Sequence, residues 1–204
     1  MTAGTLPAQP AEGHEPIPTH ATGMPTPMVG MLLFIASEVM FFGGLFATYF
    51  NARASVGPDN WHPPSGTELD LPLAAVLTAI LVASSFTMQF GVWAIRRGDT
   101  GKLKLWTAIT LGLGILFLSG QLYDYSELGF GISDGVFGTV FYTLTGFHGA
   151  HVFGGVIMLS VVLYRGMAGQ FSGRHYDAVE AASLYWHFVD VVWIAVFSTI
   201  YLLG

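Results

Sequence analysis

Apolar residues run along this chain in five long blocks, with the polar residues gathered between them. The blocks cover about residues 28–50, 71–95, 103–123, 136–164 and 184–203, each near the roughly 20 residues that a helix needs to cross hydrocarbon. The connections differ in chemistry. Asn51–Asp70 holds Gly57-Pro58 and Trp61-His62-Pro63-Pro64, turn residues beside an interfacial tryptophan. Arg96-Arg97-Gly98-Asp99 closes the second block, and Tyr125–Gly135 carries Glu127 and Asp134 among glycines. Gly166–Ser183, with Arg174, His175, Asp177 and Glu180, separates the last two blocks. The pattern predicts an all-α fold, an integral membrane bundle of five transmembrane helices over residues 28–204. Residues 1–27 read as a flexible N-terminal tail.

Composition agrees with a bilayer environment. Of 204 residues 52% are hydrophobic and only 10% charged, whereas a soluble domain carries about 25% charged residues. Cysteine is absent, which removes disulfides, thiolate metal sites and the C-x-x-C-H attachment of c-type haem. The formal charge of −6 is dispersed and no basic cluster tracks a phosphate backbone, so nucleic acid is not a partner. Residues 1–27 contain no Lys or Arg and therefore lack the basic start of a signal peptide. Six of the seven Lys and Arg fall in two connections, as Arg96, Arg97, Lys102, Lys104, Arg165 and Arg174. The positive-inside tendency places those connections in the cytoplasm, with the N-terminus inside and the C-terminus outside. No internal repeat of the inverted-repeat transporter kind is visible.

Candidate chemistry sits inside the apolar blocks. Glu38 lies near the middle of the first, about 15 Å along its helix. At that depth an acid must be protonated, paired, or turned toward protein or trapped water. On a helical wheel Phe34, Phe41, Phe42 and Tyr49 lie within about 60° of it, so its own helix offers rings and no cation. In the fourth block, Gly146, Ala150 and Gly154 form a small-residue stripe for close helix approach, and His148 and His151 project roughly 130° away. Burial on both sides is expected. In the fifth, His187, Asp190, Ser198 and Tyr201 share one face, with His187 and Asp190 a turn apart and able to pair. Gln121 and Asp124 close the third block. His, Asp and Glu of these kinds also bind metals, and a freestanding transporter or membrane metalloenzyme is the competing class of function. The H-E-x-x-H and E-x-x-H spacings are missing, and His148 with His151 on one side of one helix cannot grip both faces of a haem. Polar residues hydrogen-bonded between helices, or to a partner subunit, explain most of these positions. No metal site and no catalytic residue is assigned.

Three stretches carry a resemblance. Phe34-Ile-Ala-Ser-Glu38-Val-Met-Phe-Phe42, Gly146-Phe-His148-Gly-Ala-His151-Val152 and Tyr185-Trp-His187-Phe-Val-Asp190-Val-Val-Trp193, in that order, resemble the signature stretches of cytochrome c oxidase subunit III. Gln121-x-x-Asp124-Tyr125, Ile132-Ser-Asp-Gly135 and Glu180-Ala-Ala182 extend the likeness from about Met28 to Gly204. The resemblance implies a redox-silent subunit, binding no cofactor itself, packed against subunit I of a haem–copper oxidase that also contains subunit II. Haem and copper would reside in those partners, which reduce oxygen to water and pump protons. It further implies a multi-pass protein of the bacterial plasma membrane, with cytochrome c as electron donor and a quinol oxidase as the alternative. By the same resemblance Glu38 is the carbodiimide-reactive carboxylate, Arg165 meets a phospholipid headgroup, and Asp124 stands where members often carry Glu. Seven-helix members begin with two further helices that form a lipid-filled cleft. The His-Pro-Glu motif of subunit I is absent here, since His62-Pro63 continues with Pro64.

Overall fold

A computed structural model describes residues 25–57, 60–64 and 67–203. Its architecture is helical, with α1 at Thr26–Val56, α2 at Leu71–Arg96, α3 at Thr100–Glu127, α4 at Gly135–Met167 and α5 at Asp177–Phe197. All five are long and apolar enough to cross a membrane. The helices outrun the apolar blocks because their polar flanks continue the helix, and Asp70 and Asp99 cap the starts of α2 and α3. Thr26 and Pro27, read from sequence as tail, are the first turn of α1, where proline's missing N–H costs nothing. The rest of that proposed tail, residues 1–24, lies outside the described residues.

The largest difference from the sequence reading is at α5, which begins at Asp177 rather than near residue 184. Asp177 and Glu180, taken as loop charges, occupy its first turn, where carboxylates face the positive end of the helix dipole. Glu180 also binds Arg96 at the end of α2, with Arg96 Nη2 donating at 2.6 Å and Nε at 2.9 Å. That ion pair brings the α2–α3 turn and the α4–α5 connection to one end of the bundle. Beyond Phe197 the chain widens into a π turn over Ser198–Leu202.

Helix α5 is the hub, packing on α1, α2 and α4. Around it α1 touches α4, α4 touches α3, and α3 touches α2, while α1 and α2 are not packed on each other. Trp186 of α5 sits where a Cβ on Gly114 of α3 would approach its ring to 2.6 Å and one on Gly155 of α4 to 2.8 Å. Only glycine at both positions admits the indole, so a small residue on each outer helix sets the spacing of three helices. Helix α1 is the least enclosed, with only Phe42 and Tyr49 buried.

Between α2 and α3 the turn is made by Gly98 at φ 78°, a conformation that favours glycine. Asp99 then caps α3, its Oδ1 accepting the Lys102 backbone N–H at 2.9 Å. That bond, with a second from the Lys102 side chain, holds the Asp99 carboxyl below the usual carboxylate range. A depressed folded value means the cap's contribution is complete above the unfolded pKa and fades as pH falls through the folded one. Asp99→Ala should therefore lower the melting temperature in detergent at pH 7, and the gap from the parent protein should narrow on acidification. A gap that stays constant down to pH 2 would show that the ionised cap is not its source.

Candidate polar sites within the membrane bundle

Glu38 and His151 meet between α1 and α4. His151 Nε2 lies 2.8 Å from Glu38 Oε2, with side chains 16% and 18% exposed respectively. Both are deep in their helices, Glu38 about 18 Å from the start of α1 and His151 near the midpoint of the 33-residue α4. His151 Nδ1 is 2.7 Å from the Phe147 carbonyl. A carbonyl can only accept, so Nδ1 carries a hydrogen and Nε2 is left to face the acid. One proton then lies on the Nε2–Oε2 line. Residing on Glu38 it gives two neutral groups, and residing on His151 it gives an ion pair, so the net charge is zero either way.

The surroundings of this pair match the aromatic environment expected from the wheel only in part. Phe42 meets the His151 ring edge-on at 4.9 Å and Phe41 stacks at 6.1 Å. Phe34 packs instead on Tyr185 at 6.0 Å, and the Tyr185 hydroxyl donates to the His151 carbonyl at 3.0 Å. Tyr49 is elsewhere, buried where Trp61 Nε1 donates to its hydroxyl and that hydroxyl donates to the Thr199 carbonyl, each at 3.0 Å.

The two histidines of α4 have separate fates. His148 is fully buried, tilted on Trp193 at 4.9 Å and edge-on to Phe117 at 5.9 Å. Neither of its ring nitrogens has a partner among the described residues. The small-residue stripe beside them is covered at one end only. Tyr185 Oη lies 3.4 Å from where a Gly154 Cβ would be, whereas nothing approaches Gly146 within 4 Å. Burial on both sides of α4 is therefore not met: Gly146 and Ala150 line an open groove with Gln121 and Tyr125 of α3.

The polar face of α5 finds its partners on α2 rather than on itself, apart from Asp190 Oδ1, which has none among the described residues. His187 and Asp190 do not bond to each other. Ser85 of α2 donates to Asp190 Oδ2 at 2.8 Å, and His187 Nε2 lies 3.3 Å from Gln89 Oε1. Trp186 Nε1 donates to Ser84 and Trp193 Nε1 to Thr78, both at 2.9 Å, completing a seam between antiparallel helices. The α2 partners were missed in sequence because each looked like a scattered polar residue. A signal was present, since Thr78, Ser85 and Gln89 fall within about 40° on the wheel. Toward the opposite end, Tyr201 donates to Asp124 at 3.3 Å, and Gln121 and Tyr125 bond Thr145 of α4. Arg165 donates to Gln170 at 2.9 Å and lies over the Phe171 ring at 4.9 Å. Among the described residues no three His, Asp or Glu side chains gather in a metal-binding group.

Residues 18–204 match the sequence model of the family described as cytochrome c oxidase subunit III. A protein of Nocardia farcinica described as "probable cytochrome c oxidase subunit 3" is 50% identical over 176 residues, covering 85% of this chain and 86% of that one. Its counterpart in Mycobacterium tuberculosis H37Rv is 48% identical over the same shares. Cytochrome c oxidase subunit 3 of Thermostichus vulcanus is 41% identical, covering 86% of this chain and 87% of its own.

These geometries separate real couplings from apparent ones. In a double-mutant cycle for unfolding in detergent, Ser85→Ala with Asp190→Asn should show a coupling of about 0.6–1.7 kcal/mol, the range of interhelical bonds in membranes. Glu38→Leu with His151→Leu should couple by at least as much. His187→Leu with Asp190→Leu should add, and a coupling there as large as the Ser85 value would contradict the pairing described.

Proposed function

The chain belongs to the cytochrome c oxidase subunit III family, and from that premise we propose what its helices do in the complex. It is a non-redox subunit that packs directly against subunit I, in a complex with subunit II. It stabilises subunit I and supports proton uptake while oxygen is reduced to water with cytochrome c as donor. Haem and copper, held by the partner subunits, supply the redox chemistry. The complex lies in a bacterial plasma membrane, with the N-terminus of this chain inside and its C-terminus outside.

The observation that carries docking is the unclosed side of the bundle. Helices α1 and α2 are not packed on each other, and Met28, Gln89, Leu184 and His187 line an opening between them. Their outward faces carry apolar residues, Met40 at 80% exposure on α1 and Phe86 at 62% on α2. Subunit I laid against this side would cover surface that α3 and α4 cannot reach. The arrangement of basic connections supports the orientation, since Arg96, Arg97, Arg165 and Arg174 belong to the end that the Arg96–Glu180 bridge closes.

The Glu38–His151 pair supplies the proton-related part of the reading. A proton on the Nε2–Oε2 line can reside on either atom with the net charge unchanged, so the pair can hold a proton in hydrocarbon without a net buried charge. Glu38 is taken as the carbodiimide-reactive acid, and Arg165, beside the membrane end of α4, as a contact for a phospholipid headgroup. Asp124 and His148 serve packing within the bundle.

Removal of this chain tests the reading. Oxidase stripped of it should begin turnover at a rate near that of the intact complex and then lose activity progressively, while the intact complex holds its rate. Glu38→Gln should assemble, because an amide can donate to His151 Nε2, and should lose carbodiimide labelling. Steady activity in the stripped enzyme would overturn the supporting role, and labelling that persists in Glu38→Gln would place the reactive acid elsewhere.

A further inference from the structure

At the basic end of the bundle α2 and α3 enclose a groove of about 420 Å³ that none of the preceding sites uses. Its wall is aromatic: Phe90 lies 5.7 Å from Trp93 and 5.1 Å from Trp106, and Trp93 is 46% exposed. Its rim is charged, with Arg97, Asp99 and Lys102 lining the same space. From this combination we infer that the groove binds the headgroup and upper acyl region of an anionic phospholipid.

The charges argue for the class of lipid. Arg96, next in sequence, is committed to Glu180 at 2.6 Å, and Lys102 Nζ is 3.0 Å from Asp99 Oδ2. Arg97 has no acidic partner among the described residues. Two cations and one carboxylate leave a net charge of +1 on the rim, which a single phosphodiester neutralises. Both oxygens of Asp99 are already engaged, Oδ1 by the Lys102 backbone N–H at 2.9 Å and Oδ2 by the Lys102 ammonium. Its charge is thereby offset by Lys102, which leaves Arg97 as the uncompensated charge of the rim. The aromatic residues argue for a lipid rather than a free anion. Trp186 and Trp193 donate to Ser84 and Thr78, whereas neither Trp93 nor Trp106 donates to any group among the described residues. Two indole N–H groups beside an apolar wall at the membrane boundary suit the ester carbonyls and first methylenes of an acyl chain. Arginine on the rim gives the phosphate a planar donor fork.

The test uses the whole oxidase complex purified in mild detergent, with bound phospholipid counted by mass spectrometry. Arg97→Gln with Lys102→Gln should lower tightly bound anionic phospholipid by one equivalent while haem content and the Arg165 contact are unchanged. The unsubstituted complex gives a second reading that does not depend on assembly of a variant. In nanodiscs containing phosphatidylglycerol, amide exchange over residues 93–106 should be slower than in nanodiscs of phosphatidylcholine alone. Inorganic phosphate added to the phosphatidylcholine discs should not reproduce that protection. An unchanged lipid count together with equal exchange in both discs would overturn the site. Equal protection by phosphatidylcholine would overturn the anionic selectivity, and protection by phosphate alone would make the ligand a free anion.

Discussion

Hydrocarbon offers no hydrogen bonds, so small hydroxyls in these helices bond to their own backbone, as Ser37, Thr48 and Ser119 do, while the larger polar side chains turn to another helix. That constraint organises the bundle. Glu38 is answered by α4, Asp190 and His187 by α2, and Tyr201 reaches Asp124 of α3. With apolar surface already at home in lipid, such bonds and close packing decide which helices are neighbours. Helix α5 carries the largest share of them and is correspondingly the most enclosed, with 56% of its membrane window buried.

Packing and polar pairing use the same residues. Trp186 fills the space left by Gly114 and Gly155 while its N–H donates to Ser84, so one side chain joins α3, α4 and α2 to α5. Trp193 likewise meets Phe117 and His148 with its ring and Thr78 with its N–H. A smaller ring without the N–H at either position would open space and remove a bond between α5 and α2 at once. Not every buried group is matched: Thr107 Oγ1 and Asp190 Oδ1 lack partners among the described residues, and so do both nitrogens of His148, an imidazole held by rings alone, where an unmatched buried donor ordinarily costs about 1–3 kcal/mol.

The number and approximate place of the helices were legible in the sequence because length and apolarity dictate a membrane span almost alone. The boundary of α5 was not, since Asp177 and Glu180 have the composition of a loop and become helical through the dipole and through Arg96, 84 residues away from Glu180. Glu38 was recognisable as an acid needing shelter, but its shelter was not. A helical wheel reports neighbours on the same helix, and His151 is separated from Glu38 by 113 residues. The same limit made His187 and Asp190 look like a pair. Partners one turn apart are visible along a sequence, whereas Ser85 and Gln89 become partners only once α2 lies antiparallel to α5.

Helix α1 is the first of the five in the chain, yet it packs on α4 and α5, the two made last. During synthesis at about 5–20 residues per second, the 113 residues between Glu38 and His151 take on the order of ten seconds to appear. For that interval α1 exists without the imidazole that meets its acid in the finished fold. Completion of the fold supplies that acid's partner, when His151 arrives with Nε2 2.8 Å from Glu38 Oε2. The order of biogenesis runs opposite to the order of packing, and the nascent subunit depends on its membrane environment longest for the helix it made first.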